Sequence, residues 1–316
     1  MKFGELARYL EKLEGVSSRN EMTVILAELL GKASPEDARL IVYLSAGRLG
    51  PAYNSPDMGV ADKMMLKALG EGAGALFKQK GDLGLVAQSM GKSRKDLSVQ
   101  EVHERLGEIA KLGGSGSQEG KQKLIGELVS DLDPVGAKYA VKIVLGKLRT
   151  GFSDMTVLDS LSWMMVGDKS KRGEIEKIYN VRADMGKIAE TLKRLGRIKP
   201  LEPELGAPIL MARAERAVST QDIWKRNGRC AVEYKLDGLR IQAHVGKQVM
   251  LFSRGLENVT LMYPDIVEGL RKQIKEECIV EGEMIAVGKN GRFLPFQETV
   301  QRKRKYNIDT MSKKVP

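Results

Sequence analysis

Residues 230–245 read CAVEYKLDGLRIQAHV, and the second half of the chain is organised around them. The odd-numbered positions from Leu239 to Val245 are apolar, while Arg240, Gln242 and His244 fall on the opposite face. A period of two is typical of a β-strand. We therefore predict one strand over 239–245 and a second over 230–234, on either side of a short polar turn.

Lys235 is the candidate for chemistry in this stretch. On a strand, Glu233 points to the same side as Lys235, and Asp237-Gly238 is a tight-turn signal whose glycine would let the backbone approach a ligand. A lysine amine becomes a nucleophile when burial or a nearby cation lowers its pKa. Taken alone, K-x-D-G also fits a hairpin with an ordinary surface lysine, because four residues recur by chance.

Composition and charge limit the classes of binding partner and metal site. The 316 residues suffice for two domains, and 52 Lys and Arg against 41 Asp and Glu leave a net charge of +11. A basic balance suits a polyanion, although a generic basic protein has the same charge. The two cysteines and two histidines form no convincing zinc site, and two free thiols without a signal peptide fit a reducing cytoplasm.

The first two hundred residues carry helical signals. Phe3, Leu6, Leu10 and Leu13 recur at helical spacing. Capping boxes begin at Ser18 and Ser98, and Ser34-Pro35 is a further helix start. No alternation of any length precedes Cys230, so this half is predicted to be all-α.

A proline cluster then marks a linker. Pro200, Pro203 and Pro208 favour extended chain, and we place a domain boundary near residue 205. Beyond it the period changes, which indicates an α+β domain. Its predicted elements are strands at 239–245, 248–253 and 278–287, a hairpin turn at Gly246-Lys247, a helix over 263–275 and a helix start at 295–301.

Four stretches, in family order and spacing, resemble the ATP-dependent DNA ligases of the archaeal and eukaryotic replicative type. They are Lys235–Arg240 (K-x-D-G-x-R), Phe252–Thr260 (S-R-x-x-E-x-x-T), Val280–Ala286 (D-G-E, with Glu281 for aspartate), and Leu294–Gln297 followed by Arg302–Tyr306. The resemblance extends through the first two hundred residues. It implies a multidomain protein: an all-α DNA-binding domain at 1–205 and a truncated α+β nucleotidyltransferase (adenylation) domain at 206–316.

The resemblance implies ATP-dependent sealing of nicks in duplex DNA, in replication, repair and recombination. Lys235 would attack the α-phosphorus of ATP and carry AMP, which passes to the 5′-phosphate of a nick before the 3′-hydroxyl displaces it. ATP and Mg²⁺ are the implied cofactors. Glu233 would line the adenosine pocket, and Arg240 would meet phosphate. Arg254 and Glu283 would hold the ribose and the metal-bound phosphates, with Glu283 as the metal ligand and Asp237 and Gly238 in support.

A basic turn is the candidate DNA contact. Lys147–Ser153 contains Arg149, Thr150 and Gly151 ahead of a predicted helix at Thr156–Met165, and it resembles the L-R-x-G stretch of the ligase DNA-binding domain. Such a turn presents backbone amides and a guanidinium to phosphate. A plain helix–helix turn with a solvated arginine is the alternative.

The family's later elements do not follow Pro316, so we expect an incomplete ligase that seals nicks poorly by itself. Two alternatives stay open: a non-catalytic duplex-DNA-binding module, and an RNA ligase or capping-type nucleotidyltransferase, against which the helical half argues. The expected partner is nicked double-stranded DNA, with a sliding clamp as a further candidate. We expect no membrane association, a monomer, and a cytoplasmic, nucleoid-associated location.

Overall fold

Helices build the first of two units in the computed structural model. That unit comprises Met1–Tyr179 and Ala183–Leu201, and the second comprises Asn180–Arg182 and Glu202–Pro316. The structure describes residues 1–91, 95–114, 116–148, 150–212, 214–303 and 307–315, without the side chains at 309 and 313.

The helices of the first half carry the labels α1 to α12 in chain order. Their bounds are α1 Phe3–Glu14, α2 Arg19–Lys32, α3 Pro35–Ser45, α4 Asp62–Leu69, α5 Ala73–Lys80, α6 Leu83–Met90, α7 Val99–Lys111, α8 Ser117–Asp131, α9 Pro134–Val144, α10 Asp154–Val166, α11 Arg172–Val181 and α12 Met185–Leu195. A short 3₁₀ turn covers Ala52–Asn54. The principal helix pairs are α3 with α12, α6 with α9, α2 with α10 and α4 with α8.

Local signals account for where several of these helices begin. At the start of α7, Ser98 Oγ accepts a hydrogen bond from the Glu101 N–H at 3.1 Å, and the Glu101 carboxylate accepts one from the Ser98 N–H at 2.7 Å. Ser34 caps α3 through the Asp37 N–H at 3.1 Å. The apolar stripe of α1 is fully buried, as its spacing predicts. Capping satisfies the first amides, and the stripe supplies the packing surface.

The second unit is a three-stranded antiparallel sheet with short helices. Its elements are α13 Thr220–Asn227, β1 Leu239–Val245, β2 Met250–Ser253, α14 Pro264–Gln273, β3 Cys278–Met284, α15 Phe296–Thr299 and α16 Ile308–Lys314, with 3₁₀ turns at Thr260–Met262 and Val300–Arg302. The strand order is β2-β1-β3. The predicted class, all-α followed by α+β, is confirmed, and the strand predicted over 239–245 is β1.

Each face of β1 is buried by a different partner. Ile241, Ala243 and Val245 pack with Leu251 and the apolar side of α14. On the other face, Gln242 is 1% exposed and His244 is 0% exposed. The segment Glu204–Ile209, called the strap below, covers them: Gly206 N–H donates to His244 Nδ1 at 3.0 Å, and Ile209 N–H donates to Gln242 Oε1 at 2.8 Å. Part of the predicted linker is therefore packed structure.

The strand predicted over Cys230–Tyr234 is wrong. The segment has no regular secondary structure, and Val232 and Tyr234 are 93% and 96% exposed. A strand needs a hydrogen-bonded neighbour and a surface for its apolar face. No described strand pairs with this segment, so its alternating pattern is left without either. Within the described ranges, no helix combines the length and apolarity needed to cross a membrane.

Candidate nucleotide site

A cavity of about 440 Å³ opens at one end of the sheet, next to the start of β1. Predicted site residues from three separate stretches line it: Lys235, Asp237, Gly238, Arg240, Arg254 and Glu283. Its volume is within the range of small-molecule sites. The fold thus brings together residues that are far apart in sequence.

Gly238 allows the turn before β1 to lie close against the end of β3. A Cβ at this position would lie 2.2 Å from the Met284 carbonyl oxygen and 2.7 Å from Ile285 Cγ1. Leu239 and Met284 are register partners, so the turn passes directly beside the end of β3. In the structure the glycine permits a close approach to β3, and its approach to a ligand stays a prediction.

The loop after β2 presents Arg254 to the cavity. Leu256 N–H donates to the Ser253 carbonyl and Ser253 N–H to the Glu257 carbonyl, both at 2.9 Å. Leu256 is buried with a left-handed φ of 63°. Thr260 closes the loop because its Oγ1 accepts the Leu251 N–H at 2.9 Å. The serine and threonine of this motif hold the loop, and the arginine remains exposed.

Arg240 and Glu283 face each other across the β1–β3 ladder. Directly opposed residues of antiparallel strands share one face, so both side chains lie at the cavity end of the same face. Arg240 Nη2 also donates to Glu281 Oε2 at 2.5 Å. A guanidinium has five N–H donors, so most of them stay available to an anion. Glu281, which stands where the family has aspartate, therefore orients Arg240.

Lys303 and Phe296 are among the lining residues that had no role assigned from the sequence. Lys303 forms an ion pair with Glu257 at the cavity, and Phe296 contributes an aromatic ring. The R-K-R-K run was noticed as a family match only. Its next residues, Arg304, Lys305 and Tyr306, lie outside the described residues. A basic run signals charge, but only the fold shows which lysine reaches a given cavity.

The neighbouring Arg302 is structural. It is 7% exposed and bonds both carboxylate oxygens of Asp265, at 2.8 and 2.5 Å. These bonds lower the pKa of the Asp265 carboxyl from its ordinary value. The guanidinium also lies over the Tyr263 ring, 5.4 Å from its centre. Arg302 therefore fixes the chain that carries Lys303 to the start of α14.

Glu233 does not join the cavity. It lies in the exposed segment before Lys235 and is absent from the cavity lining. The sequence placed Glu233 and Lys235 on one side of a strand, and that geometry requires a strand the structure does not form. Its contact with adenosine stays a prediction.

The helical unit has its own cavity, of about 430 Å³, beside the basic turn. Thr150 and Gly151 line it, together with Ser45 and Arg48. Thr150 is 7% exposed, and its hydroxyl donates to the Ser45 carbonyl at 3.4 Å. Gly151 is exposed with φ +75°. Arg149 lies outside the described residues, and the contact of all three with DNA stays a prediction.

Two protein-family models match the chain, one over most of the helical unit and one within the α+β unit. A family model described as DNA ligase N terminus matches residues 2–162, and a model described as ATP dependent DNA ligase domain matches residues 211–316. The first model alone covers half of the chain. The chain belongs to the ATP-dependent DNA ligase family.

Individual relatives carry the same description. A probable DNA ligase from Dictyoglomus turgidum is 43% identical over 329 aligned positions, covering 100% of this chain and 56% of the relative. DNA ligase 2 from Thermofilum pendens and a DNA ligase from Staphylothermus marinus are each 39% identical, covering 100% of this chain and 57% and 58% of those proteins. The chain thus spans a little over half the length of the curated relatives it matches.

Proposed function

We propose that this chain carries the nucleotide-transfer step of an ATP-dependent DNA ligase, with Lys235 as the nucleophile. The observation that carries the proposal is the cavity in which Lys235 meets Arg240, Arg254 and Glu283. Lys235 Nζ attacks the α-phosphorus of ATP, an N–P bond forms, and pyrophosphate leaves with the electrons of the broken P–O bond. The amine must be deprotonated when it attacks.

The cations in the cavity suit a triphosphate. Arg240, Arg254 and Lys303 can oppose the charge that develops at phosphorus and on the leaving group. Phe296 adds aromatic surface for a base. Glu283 has the carboxylate needed for a ribose hydroxyl. The charges and residue types of this lining suit a nucleotide.

Mg²⁺ fits in a limited way. Among the residues that the structure describes, no group of three or more His, Cys, Asp or Glu could hold a metal ion. Mg²⁺ commonly binds through one or two carboxylates plus substrate phosphates. Glu283 would serve as such a carboxylate, so the ion would enter with ATP and supply charge neutralisation at the phosphates.

We further propose that the helical unit holds nicked duplex DNA, through the turn that contains Arg149, Thr150 and Gly151. The net charge of +11 belongs to the whole chain and favours a polyanionic partner, and Gly151 of this turn is exposed. Domain limits of 1–205 and 206–316, a monomeric state, a sliding clamp as a further partner, and a nucleoid location remain parts of the proposal.

Transfer of labelled AMP tests the nucleophile. The 316-residue protein is incubated with α-labelled ATP and Mg²⁺, and the modified peptide is located by mass spectrometry. We expect label on Lys235 and none in Lys235→Arg, because arginine keeps the charge but does not deprotonate. Lys247→Arg is the matched control on an exposed lysine outside the cavity. Label that persists in Lys235→Arg, or no label on wild type, would contradict the proposal.

The same preparations separate the alternatives. A non-catalytic DNA-binding module would bind duplex DNA and take no label. A capping-type enzyme or an RNA ligase would pass its nucleotide to an RNA end. We expect transfer to a 5′-phosphorylated DNA nick in preference to an RNA end, measured by gel mobility of the adenylated strand.

A further inference from the structure

A chain of hydrogen bonds runs from the strap to the nucleotide cavity through His244, Gln242, Glu281 and Arg240, and is called the relay below. His244 Nδ1 accepts from the Gly206 N–H at 3.0 Å, so in the neutral ring the proton is on Nε2. Nε2 lies 2.9 Å from Gln242 Oε1 and therefore donates to it. One backbone amide of the strap thus sets the tautomer of a fully buried histidine.

Gln242 is the centre of the chain. Its Oε1 also accepts from the Ile209 N–H at 2.8 Å, and its Nε2 donates to the Ile209 carbonyl at 3.0 Å. A backbone N–H can only donate and a carbonyl can only accept, so the amide orientation is unambiguous. The second proton on Nε2 goes to Glu281 Oε1 at 2.6 Å. Every donor and acceptor of this side chain is used.

Glu281 connects Gln242 to a residue of the cavity, Arg240. One carboxylate oxygen accepts from Gln242, and the other accepts from Arg240 Nη2 at 2.5 Å. Arg240 lines the cavity that contains Lys235. A carboxylate held at one oxygen is restricted in rotation, so it offers the other oxygen in one direction. The guanidinium is consequently aimed by groups that do not touch the cavity themselves.

We propose that Gln242 and His244 are positioning residues that act through Glu281 on Arg240, so that seating of the strap prepares the cavity for nucleotide. The inference deepens the proposed function and rests on it for its kinetic consequence. Neither residue lines the cavity. Their effect on the reaction is indirect and requires Arg240, which separates them from residues that only stabilise the sheet.

A double-mutant comparison of ATP-dependent labelling tests the route. Gln242→Met keeps length and removes every polar contact, while Gln221→Met makes the same change on the exposed α13. We expect Gln242→Met to slow labelling about tenfold, because small misplacement of a reacting group is costly, and Gln221→Met to have no effect. With Arg240→Lys already present, Gln242→Met should slow labelling less than about twofold further, since its target is gone. Equal slowing in both backgrounds would overturn the proposal.

Hydrogen exchange supplies a readout that does not depend on activity. The Glu281 carboxylate bonds Gln242 and Arg240, and Glu281→Ala should still speed exchange of the Ile209 amide, because Gln242 loses the partner that fixes its orientation. Lys247→Arg should leave that exchange unchanged. Unchanged exchange in Glu281→Ala would overturn the relay. If wild type takes no label but exchange responds as expected, the proposed function fails and the relay stands.

Discussion

The Glu14 cluster of the helical unit and the Gln242–His244 pair of the α+β unit bury polar groups in different ways. In the first, Lys138 and Lys142, each 7% exposed, meet Glu14, which also accepts a hydrogen bond from the Tyr139 hydroxyl at 2.8 Å. In the second, Gln242 and His244 are uncharged and bond backbone groups of the strap. The helical cluster is built from side chains of α1 and α9, with Asp82 at the start of α6 as a further ion-pair partner of Lys142. The relay depends on a separate segment and ends at a cavity.

This difference teaches where each unit is vulnerable. Breaking a buried ion cluster lowers the free energy of unfolding strongly, because removing one partner leaves the remaining buried charges unpaired. Loss of a hydrogen bond at the uncharged Gln242 or His244 leaves no unpaired charge behind, so the unit stays folded. The loss does change how Glu281 and Arg240 are oriented. We therefore expect the helical unit to behave as an independent folding unit, and the α+β unit to couple its stability to its site.

Independence of the helical unit gives the largest expected effect. Residues 1–201 should fold alone, with helical circular dichroism, and bind duplex DNA. If about six phosphates are contacted, affinity should fall roughly a thousandfold between low and moderate salt, because counterions are released on binding. Fluorescence anisotropy over a salt series measures the slope. A segment with native helicity and no affinity at low salt would remove DNA binding from this unit.

Matched glycine substitutions compare backbone packing in the two units. Gly238→Ala places a methyl group against the Met284 carbonyl, and we expect a loss of about 3 kcal/mol from the stability of the sheet. Gly31→Ala in α2 meets nothing within 4 Å and should stabilise its helix by about 0.5–1 kcal/mol. Hydrogen exchange of β1 and α2 amides reports each unit separately. Tolerance of Gly238→Ala would mean that the turn can move away from β3.

Acid should weaken the α+β unit at a higher pH than the helical unit. Burial lowers the pKa of His244 to about 4. The unfolded chain binds this proton near pH 6.5 and the folded chain does not, so stability falls as pH drops from about 6.5 to 4, by at most about 3 kcal/mol. Denaturant midpoints from pH 7.5 to 4 measure this, and His244→Gln should flatten the profile in that window.

In the helical unit, the titration of Glu14 defines a lower pH range in which stability is lost. Burial raises the pKa of its carboxyl, but hydrogen bonds from Lys142, Tyr139 and Lys138 outweigh that effect and lower the pKa to about 2. The folded state therefore holds the proton less tightly than the unfolded state, and this stability is lost only as pH falls from about 4.5 towards 2. Simultaneous weakening of both units near pH 6 would contradict the assignment.

Two hydroxyl substitutions give the smallest effects and separate stability from function. Ser98→Ala removes the cap of α7 and should cost about 1 kcal/mol without changing ATP affinity. Thr260→Val removes the acceptor for the Leu251 amide and should cost about 1–2 kcal/mol. It also loosens the loop that carries Arg254, so we expect ATP to bind several-fold more weakly. Equal ATP affinity in both variants, measured by titration calorimetry, would mean that Arg254 does not contact the nucleotide.

Prediction from sequence succeeded where the signal was local. The caps at Ser34 and Ser98 and the buried stripe of α1 each involve residues within a few positions of one another. The hairpin of β1 and β2 is also local, joined across a short turn. The segment at 230–234 carries an equally regular alternation and forms no strand, because strand formation depends on a partner that a local pattern does not specify.

The sequence by itself determined the order of the helical and α+β regions. It also singled out Lys235 as the candidate nucleophile, together with the motif residues that accompany it. Those features depend on short-range periodicity and on residue types that cannot be exchanged without losing their chemistry. Only the tertiary structure decided that Gly238 serves the contact with β3, that Lys303 reaches the cavity, and that the strap orients Arg240 through Gln242 and Glu281. Each of these joins residues that are distant in the chain, and their proximity follows from strand register and burial.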